Sequence, residues 1–483
     1  MAGVKYYSGE SFPLEMHKVR IIQKLSLLPV EQRLAAIEGA GYNTFLLENK
    51  DVFLDMLTDS GVNAMSDRQQ AAMLTADDAY AGSATFTRLH DKLRHFFGMP
   101  YFLPAHQGRA AEHILAKGYV KPGMAVPMNY HFTTAKAHFT ELGGEVEELV
   151  IDEGLQVTST HPFKGNLDVA KLDALVAQRG ASNIAFLRME AGTNLIAGQP
   201  FSLANLREVR QACDRHGLLL VMDASLLADN LHFIKQREAQ CRDWTIHQIC
   251  LAMAECCDII YFSARKLGFG RGGGIVMRDE SIYRLLRGFV PMYEGFLTYG
   301  GMSVREMEAL VIGLDETLDE DMINQGPYFI EYMVRELERH GVPVITPPGG
   351  LGAHLDAMRF LDHVPQTAYP SGALAAAVYI AAGVRGMERG TLSEQRDPDG
   401  HEPLSHMELL RLALPRRVFT LSQVNYTIDR IRWLYAHRRL VGGLQWVEEP
   451  EILRFFYGRL APVDGQWQHK LVEQFRADFG DSL

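Results

Sequence analysis

The sequence predicts an α/β protein, with a large domain around a mostly parallel sheet and a smaller α+β domain beside it. Two observations predict this. From about residue 85 to 290, short apolar runs alternate with amphipathic stretches, the pattern of buried strands covered by helices. After about residue 320 that alternation stops, and Pro347-Pro348-Gly349-Gly350 punctuates a mixture of helices and short strands. The 483 residues also exceed what one simple core organises. The expected division is residues 55–315 for the large domain, with residues 1–54 and 316–483 joining in the small one.

The elements follow in order. Ile184 to Met189 reads as a buried strand, and Ser202 as the N-cap of a helix through His216. Leu218 to Met222 is a second strand, ending at Asp223. Asp258 to Phe262 is a third, ending at Ser263-Ala264-Arg265-Lys266, and Gly274 to Met277 a fourth. Phe233 to Glu238, with Asp243 to Ile246, is expected on a surface helix.

Composition narrows the function classes. Hydrophobic residues at 47% and charged residues at 22% describe an ordinary globular chain. A net charge of −11 argues against nucleic acid, whose phosphates need a basic surface. No apolar run is long enough to span a bilayer. Five cysteines without a regular framework suit free thiols in a reducing, cytoplasmic setting.

Chemistry concentrates in a few places. Lys266 follows a strand and precedes a glycine-rich turn, where a lysine can form an imine with a carbonyl cofactor. Asp223 ends the neighbouring strand, where an aspartate can pair with a protonated ring nitrogen. A turn residue is the competing reading for each alone, and their pairing on consecutive strands favours the cofactor. His106-Gln107-Gly108-Arg109 opens a helix and offers free amides to a phosphate, with Ser263 as a further donor. Phe132 can stack on a ring, with core packing as its alternative. Arg416 can clamp a carboxylate, with a surface position as its alternative.

In order along the chain, these segments resemble the tyrosine phenol-lyase and tryptophan indole-lyase family. The resemblance also rests on Leu57-Thr58-Asp59-Ser60-Gly61, Ala79-Tyr80-Ala81-Gly82-Ser83, Asn194 with Ala197-Gly198-Gln199-Pro200, Tyr299-Gly300-Gly301 and Arg385-Gly386-Met387-Glu388-Arg389-Gly390. It implies a pyridoxal 5′-phosphate (PLP) enzyme of the aminotransferase-like fold (fold type I), assembled as a homotetramer with sites at subunit interfaces. Gln107, Gly108, Arg109 and Ser263 would hold the phosphate, while Phe132 stacks on the ring and Asp223 meets its nitrogen. Lys266 would carry the cofactor and remove the substrate α-proton. Arg416, Asn194, Thr58 and Ser60 would receive the amino-acid carboxylate. Tyr80 would protonate the departing aromatic carbon, with Thr133 and Arg389 at the phenolic oxygen. Phe455, where the indole-lyase branch has histidine, and Phe456 would complete the pocket. The implied reaction splits L-tyrosine, or a ring-substituted relative, into an arene, pyruvate and ammonium.

The chain departs from the family pattern in places. Leu226 stands where the family has an arginine that donates to the cofactor's 3′-oxygen. Arg265 replaces the lysine before the cofactor lysine. The family's monovalent-cation (potassium) site would include Gly61 and Asp78, but Asp78 replaces a glutamate and Arg271 stands near another ligand. These changes leave other readings open: indole-lyase activity, another β-elimination, β-replacement or transamination, or a PLP-binding scaffold.

Overall fold

The computed structural model describes residues 6–397 and 399–483. Its centre is a seven-stranded sheet. The strands are β1 (Tyr101–Ala105), β2 (Ala125–Met128), β3 (Glu145–Glu148), β4 (Leu187–Glu190), β5 (Leu220–Asp223), β6 (Ile259–Ser263) and β7 (Gly273–Met277). They lie in the order β1-β7-β6-β5-β4-β2-β3. All neighbours pair parallel except those of β7, which runs antiparallel to β6 and β1. The expected mostly parallel sheet is therefore present.

Alternation along each strand divides the core between the two faces. Met189, Met222, Ile260 and Phe262 join one layer. Phe186, Val221, Ile259 and Tyr261 join the other, under α1 (Gly108–Tyr119) and α2 (Thr133–Glu141). β4 begins later than the sequence suggests: Ile184 makes only an isolated bridge to Ala125, and the ladder with β5 starts at Leu187. The helix after Ser202 runs Leu203–His216: the Ser202 hydroxyl accepts from the Asn205 amide at 3.0 Å, and Gly217 ends it at φ 67°.

The surface helix expected around Phe233 needs correction. It belongs to α3 (Leu227–Arg237), where Phe233 and Ile234 are fully buried. α3 packs between the sheet and the helix Glu320–Arg339, so its apolar residues have core on both sides.

A second core unites the two chain ends. Val30 to Met56 and Phe329 to Phe475 contribute to one apolar cluster around the almost wholly apolar helix Pro370–Ala382. Beside that helix lies an antiparallel sheet of β8 (Gly352–Asp356), β9 (Met387–Arg389) and β10 (Leu409–Ala413), in the order β9-β10-β8. It approaches the carboxyl ends of the large parallel sheet, where open α/β sheets place their ligands. All five cysteines are free and buried. Among the described residues, no helix is long and apolar enough to cross a membrane.

Candidate active site

A cavity of about 340 Å³ opens where the carboxyl ends of β4, β5 and β6 meet β9 and β10. Its wall brings together twelve residues singled out in the sequence: Thr58, Ser60, Gln107, Gly108, Arg109, Phe132, Asn194, Asp223, Ser263, Lys266, Arg389 and Phe456. They span nearly 400 residues of chain, so only the fold makes them neighbours.

At one end, α1 begins against the end of β6. A side-chain carbon on Gly108 would lie 2.7 Å from Ser263 Cβ, so only glycine permits this approach. Gln107 gives the helix no side-chain cap. The helix start thus faces the cavity beside Arg109 and Ser263, a setting suited to an anion.

In the middle, Lys266 Nζ sits 5.5 Å from the centre of the Phe132 ring. It lies 4.0 Å from Asp59 Oδ1, which has no hydrogen-bond partner. Burial pushes the Asp59 carboxyl up from its usual range, and Lys266 partly opposes this. Asp223 faces the cavity from β5, with its Oδ1 accepting from the Ser225 amide at 2.9 Å.

At the far end are two buried arginines. Arg411 Nη1 donates to Asn194 Oδ1 at 2.9 Å, and Nη2 donates to the Leu57 carbonyl at 2.8 Å. Arg389 has neither Nε nor Nη1 paired. Burial pulls its guanidinium down to about 10, still charged at neutral pH.

Arg411 corrects the sequence reading. Arg416 does not line the cavity: its guanidinium pairs with Asp229 of α3 and donates to the Ile323 carbonyl at 2.8 Å. The available signal was a lone arginine inside the apolar strand Leu409–Ala413. Five other expected residues also lie off the wall. Tyr80 is 71% exposed and packs on Phe296 and Tyr299. Thr133 begins α2 directly after Phe132, with its Oγ1 buried and unpaired. Phe455 stands behind Phe456, ring centres 4.1 Å apart. Asp78 is exposed and lies away from the cavity, and the half-buried Gly61 also lies off the wall, where it abuts the Arg265 guanidinium. Arg265 donates to the Ser60 carbonyl and hydroxyl, both at 3.3 Å. Among the described residues, no group of three or more His, Cys, Asp or Glu could hold a metal. The wall also includes Glu112 and Glu190, which sequence reasoning had not placed there, and Leu226, which it had.

The family model for β-eliminating lyases matches residues 55–429. The chain belongs to this family. A tyrosine phenol-lyase of Intrasporangium calvum is 42% identical over 93% of this chain and 95% of its own length. Those of Symbiobacterium thermophilum and Pasteurella multocida are each 41% identical, covering 98% and 99% of their own lengths and 93% and 94% of this chain. Among solved structures, a serine palmitoyltransferase of Sphingomonas wittichii superposes with a TM-score of 0.58 at 12% identity, covering 85% of this chain and 97% of that one. Substrate-bound BacF of Bacillus subtilis gives 0.56 at 13%, covering 84% and 93%. At such identities these two show the fold alone.

As expected of a β-eliminating lyase, the cavity fits PLP. It offers an amine at a strand end, a carboxylate on the next strand, a ring to stack on, and a glycine-bearing helix start for the phosphate.

Proposed function

We propose that this chain is a PLP-dependent carbon–carbon lyase that converts L-tyrosine, or a ring-substituted tyrosine, and water to phenol, pyruvate and ammonium. The observation that carries the reading is Arg389. Its buried, unpaired guanidinium shares one cavity with Lys266, at a spot that asks for an oxygen acceptor. The phenolic oxygen of the substrate answers it, with Thr133 Oγ1 as the second contact. Relatives named tyrosine phenol-lyase at about 40% identity support the same reading.

PLP, when bound at Lys266, supplies an electron sink for the charge left on the substrate's α-carbon. The chain's own residues do the rest. Gln107, Gly108, Arg109 and Ser263 hold the phosphate, Phe132 covers one ring face, and Asp223 meets the ring nitrogen. Arg411, in the place expected of Arg416, takes the substrate carboxylate together with Asn194, Thr58 and Ser60. Lys266 Nζ removes the α-proton. Phe456 closes the aromatic end, backed by Phe455.

The departing ring carbon needs a proton, because an aryl carbanion is a very poor leaving group. Among the described residues no tyrosine lines the cavity. Tyr80 lies instead on an exposed aromatic surface with Phe296 and Tyr299. Its hydrogen bond with Tyr299 pushes its hydroxyl upward, which keeps the proton in place. This supports a homotetramer in which Tyr80 reaches the cavity of a neighbouring protomer. The Arg265 guanidinium beside Gly61 supports activity without potassium, the fixed charge standing in for the ion. Free, buried cysteines support a cytoplasmic setting.

The test is a coupled pyruvate assay on PLP-loaded protein with L-tyrosine, in sodium and in potassium buffer, with phenol measured in parallel. Equal phenol and pyruvate in both buffers is the expected outcome. Pyruvate from S-alkylcysteine but none from tyrosine would refute the aromatic substrate. Dependence on potassium would refute the role given to Arg265.

A further inference from the structure

Four ionisable side chains that this chemistry does not use converge on Asp223. Glu190, Asp223 and Tyr261 stand in register across β4, β5 and β6, so their side chains share the face under α1. Arg188, two residues before Glu190, lies on that face too and is fully buried. Its Nη2 donates to Asp223 Oδ2 at 2.7 Å, its Nε to the Tyr261 hydroxyl at 2.7 Å, and its Nη1 to Glu190 Oε2 at 3.2 Å. The Tyr261 hydroxyl also contacts Asp223 Oδ2 at 3.0 Å and Glu112 of α1 at 3.3 Å.

We propose that Arg188 is a positioning residue for the cofactor: it occupies Asp223 Oδ2, leaves Oδ1 facing the ring nitrogen, and shares the carboxylate's charge. The proposal rests on the PLP reading above. Oδ1 carries only the Ser225 amide, so it keeps a lone pair for the ring. Planar donors on three sides of Arg188 fix the direction of the pair, which a point charge on a lysine would not do as firmly.

The surrounding charges set the balance. Three carboxyl groups face one guanidinium: Asp223, Glu190 from β4 and Glu112 from α1. Arg109 of α1 and Lys266 act on them from the cavity side. Burial pushes Glu190 up to about 7, and burial together with Asp223 does the same to Glu112. Burial also works against the charge on Arg188, but Tyr261 and the carboxylates Glu190, Asp223 and Glu112 more than offset it. Near neutral pH the two glutamates are part-protonated, and the arginine's charge falls mainly to Asp223. The ring nitrogen therefore meets a carboxylate that is already ion-paired.

The experiment uses PLP-loaded, full-length protein and two readouts besides turnover: the dissociation constant for PLP, and the pH midpoint of the bound-cofactor absorbance. The double variant R188M/E190Q removes the cation together with one carboxyl. It should still attach PLP to Lys266, with the midpoint raised by about one pH unit, because the site has lost positive charge. It should also release PLP about tenfold more readily, as loss of a charged hydrogen bond predicts. R188K should restore both readouts towards the wild type. Y261F keeps every charge but removes the hydroxyl that holds both Arg188 Nε and Asp223 Oδ2, so the loosened pair neutralises Asp223 less and the midpoint should shift in the same direction by less; it decides the matter should the double variant not fold. A midpoint and affinity unchanged in R188M/E190Q, or in Y261F when only that protein is soluble, would reduce Arg188 to a space-filling role. A wild-type chain with no lysine-bound cofactor absorbance would overturn the PLP reading and this proposal with it.

Discussion

Arg389 carries a positive charge into a place where two of its nitrogens find no partner. A buried donor left unpaired in the free protein is costly, and a substrate oxygen relieves the cost. Replacing Arg389 with alanine should lower kcat/KM for L-tyrosine by about a hundredfold. With S-alkylcysteine, whose leaving group needs no such help, the loss should stay below about tenfold. Equal losses on both substrates would remove Arg389 from phenol recognition. The two neighbouring arginines should separate just as cleanly. Arg411→Ala should raise KM about tenfold or more, because a carboxylate loses its charged donor. Arg416→Ala should leave KM near the wild-type value but cost about 3 kcal/mol of stability, since it strands Asp229 in the interior. Urea unfolding beside steady-state kinetics reads both effects. Lys266, Asp223 and Gly108 could be singled out in the sequence because each sits at a predicted strand end or helix start. Arg188 and Glu190 could not, because a charge inside a run read as a buried strand and another just after it have no visible partners in sequence.

At the scale of elements, the contact between α1 and β6 does the most for the site. Gly108 lets the helix start press on the end of β6, and a methyl group there would meet Ser263 Cβ at 2.7 Å. Gly108→Ala should push α1 back and weaken PLP binding about tenfold, with little change in overall helix content. Equilibrium dialysis with PLP, alongside circular dichroism, tests this, and unchanged affinity would exclude the cradle. The elements themselves were largely readable in advance. Strands β4 to β7 and the helix capped by Ser202 follow from apolar runs and a capping residue. Helix α3 was misplaced on the surface because its polar ends, Lys235 to Glu238, outweigh its buried middle when only the local stretch is read.

At the scale of the whole molecule, the site needs both cores, and in the proposed assembly a second protomer as well. Lys266 and Tyr80 would then reach one cavity from different chains. Lys266→Ala and Tyr80→Phe should each be inactive alone. Unfolded together and reassembled, they should recover up to about a quarter of wild-type activity, as random mixing in a symmetric oligomer allows. No recovery, with mixed oligomers present, would place Tyr80 in its own chain's site or outside the chemistry.

The sequence by itself determined the α/β class, the order of the principal strands along the chain, the choice of Lys266 and Asp223 as residues of one site, and the family. All of these are written in short-range patterns of apolar spacing, caps and turn residues. The tertiary structure alone decided which arginine faces the cavity. Arg411 meets Asn194 from 217 residues away, while Arg416 is taken by Asp229 across 187. It also decided that Arg188 lies behind Asp223 and that Tyr80 faces outward. The physical reason is that a long charged side chain has no preferred partner until the fold closes. Its role is set by which opposite charge or carbonyl burial brings within reach, and distance along the chain carries no record of that.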